Sequence, residues 1–185
     1  MYQSVQKIGV LVNKLLKDFN IPAPPVNPYH IAQNLEIDIE EGDFGSNISG
    51  CLVSKNGKTI IGINKTDSEL RKRFTIAHEI GHYILKHSRD GLFVDRYGSD
   101  FSVNFRDENT STGDVQQERE ANAFAAALLM PKHMLQEELI KMQKPFLDLS
   151  DEGNNDLIQQ MAKKFKVSQS AMTFRIMNLK LFPNY

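Results

Sequence analysis

Along residues 5–19, apolar side chains recur at Val5, Ile8, Val12, Leu15, Leu16 and Phe19, the three-and-four spacing of an amphipathic helix. Pro22, Pro24, Pro25 and Pro28 then interrupt it, and Asn27 before Pro28 predicts a capped short helix to about Leu35. Ile37 and Ile39 alternate with Asp38 and Glu40, which predicts a half-buried strand. Cys51–Val53 and Thr59–Ile63 flank Asn56-Gly57, the sequence of a tight hairpin, so three strands of one sheet are expected. Thr66-Asp67-Ser68-Glu69 has the form of a capping box, and the apolar pattern beyond it predicts a helix to about Lys86.

Ser88 to Asp114 is polar and turn-rich, with Gly91, Gly98 and Gly113, and reads as one long loop of the functional kind. A second apolar helix is expected from about Val115 to Met130, with Pro131 ending it or starting the next. Beyond a polar break at Ser150–Asn155, two short helices follow near Asp156–Phe165 and Ser168–Leu179. There is no internal repeat. Strands precede helices, which predicts an α+β fold.

Composition narrows the function classes. The 185 residues suit one domain, or one domain with a small appendage, and 41% apolar content excludes wholesale disorder. Lys plus Arg numbers 22 against 23 for Asp plus Glu, a balance that argues against coating nucleic acid or an anionic membrane. Cys51 is the only cysteine, which fits a reducing compartment. The longest apolar run, Ala123 to Met130, is core-like and far too short to span a bilayer, and no signal-peptide pattern opens the chain. A cytoplasmic protein without a membrane partner is expected.

The informative chemistry is His78-Glu79-Ile80-Gly81-His82. Residues four apart share a helix face, so both imidazoles reach one point, the spacing that a single Zn²⁺ requires. The adjacent Glu79 then lies within reach of a water on the metal. A catalytic site needs a third protein ligand. The metzincin continuation would place glycine at 85 and histidine at 88, but Leu85 and Ser88 stand there, and His87 misses that position by one residue. A carboxylate from the helix after residue 115 is the alternative. Glu118 shares a small-residue face with Asn122 and Ala125, which could approach opposite Gly81, whereas Glu120 shares its stripe with Phe124 and Ala127. The phase favours Glu118. Asn122 is placed to orient a liganding imidazole by a hydrogen bond. The plainer alternative for both glutamates is an acidic first turn that complements the helix dipole.

Phe-Thr-Ile-Ala-His-Glu-Ile-Gly-His-Tyr at 74–83 and Glu-Arg-Glu-Ala-Asn-Ala-Phe-Ala-Ala-Ala-Leu-Leu-Met-Pro at 118–131 closely resemble the ImmA/IrrE family of zinc metallopeptidases, gluzincin-like HExxH proteases. The resemblance extends to the proline-rich turn, to Ile63-Asn64 and to Val167-Ser168. It implies a zincin-like core, in which a small sheet accompanies the HExxH helix and a glutamate-bearing helix. It implies one catalytic Zn²⁺ held by His78, His82 and Glu118, with Glu79 as catalytic acid/base, and a helix-turn-helix repressor of a mobile element or stress regulon as substrate. In that chemistry the metal acidifies water and polarises the scissile carbonyl, while Glu79 moves the proton. The strand at Thr59–Ile63 is a candidate to pair with the substrate backbone. Tyr97, His87 and His133 are candidates for oxyanion stabilisation, and spacing singles out none of them.

Residues 1–150 are accordingly read as the peptidase core and 151–185 as a small helix-turn-helix-like extension. Within the extension Lys163, Lys164, Lys166, Arg175 and Lys180 outnumber acidic residues, which raises direct DNA binding as an alternative. The proposed recognition helix offers only Arg175 and Lys180, so a helical cap with a solvated basic face is favoured. The competing function is a DNA-binding or repressor-holding regulator with a non-catalytic metal site.

Overall fold

A computed structural model describes residues 2–45, 48–87, 92–96, 112–142 and 154–181. Helix α1 (Tyr2–Asp18) buries Ile8, Val12 and Leu16. Helix α2 (Pro28–Asn34) follows the proline-rich turn, with the Asn27 side chain accepting from the Tyr29 amide at 3.1 Å. The sheet comprises β1 (Ile37–Gly42), β2 (Ile48–Lys55), β3 (Lys58–Asn64) and β4 (Leu92–Arg96), in the spatial order β1-β3-β2-β4. β1 runs parallel to β3, and β2 runs antiparallel to both β3 and β4. Asn56 and Gly57 both take positive φ, 52° and 77°, as a two-residue hairpin turn of matching twist requires. The fold is α+β.

Two expectations about the sheet are corrected. A fourth strand, β4, lies inside the segment read as an unbroken loop; its five residues are too few for alternation to stand out, and pairing with β2 defines it. The remainder of that loop, 88–91 and 97–111, lies outside the described residues. β3, expected to receive a substrate, is interior. Its backbone bonds β1 on one side and β2 on the other, which leaves β1 and β4 as the edges among the described residues.

Helix α3 (Glu69–Ile84) starts two residues later than the capping-box reading suggests. Ser68 is its cap, accepting from the Arg71 amide at 3.3 Å, while Thr66 turns back to the Asn64 side chain. The helix ends in a tight reversal: Lys86 takes φ 56°, and the His87 amide bonds the His82 carbonyl at 3.0 Å. Helix α4 (Thr112–Leu129) packs on α3, and α5 (Lys132–Lys141) follows Pro131. Gly81 allows the close approach. A Cβ there would sit 3.1 Å from Phe124 Cβ and 3.2 Å from both Ala121 Cα and its carbonyl oxygen.

Helices α6 (Asn154–Phe165) and α7 (Gln169–Asn178) contribute Leu157, Met161, Phe165, Met172 and Ile176 to the same buried cluster as Ile76, Ile80 and Leu128. Two buried arginines fasten them. Arg73 of α3 donates to the carbonyls of Val26 at 2.8 Å and Lys166 at 3.0 Å, and Arg175 of α7 donates to the Met130 carbonyl at 3.0 Å. Burial pushes the Arg175 pKa down to about 10. Arg175 is therefore not the exposed basic contact that the DNA-binding alternative requires, and Lys164 pairs with the buried Glu138 of α5.

Candidate metal centre

Because α3 is regular from Glu69 to Ile84, His78 and His82 fall one turn apart on one face, and their Nε2 atoms lie 3.0 Å from each other. Close packing at Gly81 brings α4 alongside. Glu118 places Oε2 3.3 Å from His78 Nε2 and Oε1 3.3 Å from His82 Nε2. One ligand atom from each of the three lies within 4.8 Å of the others. Both imidazoles are buried, while the Glu118 side chain keeps about a third of its surface, so the group opens outward on the carboxylate side.

The electrostatics suit a cation. Burial holds the His82 pKa below its ordinary value, which keeps that ring neutral near pH 7. Burial acts to raise Glu118, but the adjacent His78 and His82 outweigh it and hold the carboxyl far below the usual range. His78 Nδ1 lies 3.0 Å from Asn122 Oδ1, an oxygen that only accepts, so Nδ1 carries the ring proton and Nε2 presents a lone pair. In that neutral form the His78 Nε2 lone pair and Glu118 Oε2, 3.3 Å apart, face one point where a cation is held between them. The donor set, two imidazole nitrogens and one carboxylate, fits a divalent transition metal.

Glu79 is not a member of this group. Its carboxylate is buried against β2, with Oε1 3.6 Å from where a Cβ on Gly50 would stand. A side chain at 50 would meet Thr75 Cγ2 at 2.3 Å, so glycine lets β2 cross α3 at this level. The Cys51 thiol beside it is pushed up by burial and by the Glu79 charge.

Glu120 goes elsewhere, with Oε2 3.2 Å from His87 Nε2 and Oε1 receiving the Gln116 amide at 2.5 Å. His87, one residue off the metzincin ligand position in the sequence, is buried, and its Nδ1 lies 3.2 Å from His82 Nδ1. The reversal at Lys86 brings it back, and no glycine marks that reversal in the sequence. His133 is exposed on α5, and Tyr97 lies outside the described residues.

Among the described residues, no helix is long and apolar enough to cross a membrane. In fold, the chain is similar to a Mycobacterium tuberculosis transcriptional regulator, with a TM-score of 0.58 and 14% sequence identity. The likeness covers 92% of this chain and 46% of that one, so this chain spans about half the length of that protein. No curated protein matches it in sequence. The model of a peptidase family, described as the IrrE N-terminal-like domain, matches residues 32–177, a stretch that takes in the sheet, α3, α4 and nearly all of α7. By that match, the chain belongs to the IrrE N-terminal-like domain family of peptidases.

Proposed function

We propose that this protein is a cytoplasmic zinc-dependent endopeptidase that cleaves a helix-turn-helix transcriptional repressor at a specific site. The observation that carries the reading is the convergence of His78, His82 and Glu118. Those three residues hold one zinc ion, with Asn122 orienting His78. When bound there, the ion supplies Lewis acidity to a water molecule and to the scissile carbonyl. Glu79 takes the proton of the attacking water on its carboxylate and returns it to the leaving amine. Because β3 has no free edge, the substrate backbone adds to β4, beside the strand that carries Gly50 next to Glu79. On this reading residues 1–150 form a zincin-like core and 151–185 a helix-turn-helix-like extension. Membership of a peptidase family supports the reaction type, and the neighbour's name, a transcriptional regulator, supports a substrate drawn from transcription control.

The test is incubation with the repressor encoded beside this gene, with zinc or with chelator, comparing the natural chain with Glu79→Gln. The natural chain with zinc should yield discrete fragments. Glu79→Gln should retain about one zinc per chain by elemental analysis and lose at least ~10²–10⁴-fold in rate. A Glu79→Gln chain that cuts as well as the natural one, or a natural chain purified gently without zinc, would refute the proposal. The rival would then stand: a DNA-binding or repressor-holding regulator with a non-catalytic metal site.

A further inference from the structure

We infer that His87 and Glu120 are positioning residues, whose hydrogen bonds hold His82 in the tautomer that turns its Nε2 lone pair toward the metal. The inference rests on the zinc-binding reading above and extends it to residues outside the ligand set. Proton counting along the contacts carries it. The Glu120 carboxylate accepts only, so His87 Nε2, 3.2 Å away, holds a proton. When His87 is the neutral imidazole it has one N–H, so its Nδ1 is bare. That nitrogen lies 3.2 Å from His82 Nδ1, which in this arrangement is the donor. The same single proton leaves His82 Nε2 bare, at the point where it meets His78 Nε2 at 3.0 Å and Glu118 Oε1 at 3.3 Å.

Glu120 is itself fixed by the Gln116 amide on its other oxygen. His87 is buried and stands edge-on to His82, with the ring planes at 75° and the centroids 5.1 Å apart. The neutral ring can carry its proton on either nitrogen, and the partner of one decides the other. Without the His87–Glu120 pair, the His82 proton is free to settle on Nε2, where it must be displaced before a cation can bind. Asn122 performs the equivalent service for His78. Both ligand rings are thus set from behind, by different partners and different chemistry.

The tautomers are readable in zinc-free protein by long-range ¹H–¹⁵N correlation of the imidazoles, and zinc affinity by competition with a chelating dye. His82 in the natural chain should carry its proton on Nδ1. His87→Phe, which keeps a ring but no acceptor, should move that proton toward Nε2 and weaken zinc binding by about 10–100-fold. His87→Asn, whose Oδ1 falls near the place of the lost Nδ1, should recover both properties. Should His87→Phe fail to fold, Glu120→Ala supplies the same comparison from a partly exposed position. The inference is overturned if His82 of the natural chain carries its proton on Nε2, or if His87→Phe binds zinc within twofold of the natural chain. Failure of the natural chain to bind zinc would overturn the reading of the site itself. Equal binding with and without the His87 ring would overturn only its positioning role.

Discussion

Gly81 sits between the two histidines of α3 and sets how near Glu118 can come. Replacing it with alanine would ordinarily favour a helix by about 1 kcal/mol. Here the added methyl meets Ala121 backbone atoms at 3.2 Å, and backbone within a packed helix yields less readily than a side chain. Gly81→Ala should therefore destabilise the protein by about 1–3 kcal/mol in urea unfolding and, on the proposed function, should weaken zinc binding, because α4 must retreat with its carboxylate. A stabilised variant would show that the helices are not in contact there. At this scale much of the site is legible in the sequence. The four-residue spacing places His78 and His82 on one face, and the small residues near Glu118 predict a close approach. His87 is not legible, because its position depends on a chain reversal at Lys86 and not on helical phase.

That reversal belongs to a set of helix ends. The helices α1, α3, α6 and α7 all terminate with a residue at positive φ: Asn20, Lys86, Lys166 and Lys180. In each, the following residue's amide bonds a carbonyl in the helix's last turn. Three of the four are lysines, which occupy the left-handed region at a cost of about 1–2 kcal/mol that glycine avoids. Lys166→Gly should raise the melting temperature, with a gain of up to about 1 kcal/mol after the entropy of glycine in the unfolded chain is deducted. A loss would mean that the lysine side chain stabilises the turn in some other way. Because glycine, the usual marker, is missing, sequence reading carries α3 to Lys86 without seeing it turn. The Asn56-Gly57 hairpin is legible for the opposite reason, since its turn demands residues that tolerate positive φ. β4 is illegible because five residues are too short a pattern and its partner strand is some forty residues earlier.

Across the whole molecule, ionic and hydrogen-bonded ties join elements that the sequence presents as separate. Arg73 and Arg175 bind the C-terminal helices to the rest, and Glu138 of α5 meets Lys141 and, across to α6, Lys164. Burial acts to raise the Glu138 carboxyl, but the two lysines prevail and hold it below its ordinary value. A carboxyl lowered by folding contributes stability that is present above its unfolded pKa, about 4.3, and lost as the pH falls through the folded value. Glu138→Gln should accordingly melt below the natural chain at pH 7, with the gap narrowing on acidification toward pH 3. A gap independent of pH would exclude this electrostatic tie. Periodicity locates α6 and α7 well, yet it is silent on what they touch, because buried arginines look in sequence like any other surface charge.

The interior place of β3 also constrains what can be digested. If cleavage requires main-chain pairing along an outer strand, a compact target must first release several residues from its own helices, whose amides and carbonyls are already engaged. Proteolysis would then sample the target's rare local openings, and its speed would follow their free energy as much as the affinity of the encounter. On the proposed function, loosening one helix of the target would hasten its cleavage without any alteration to this chain.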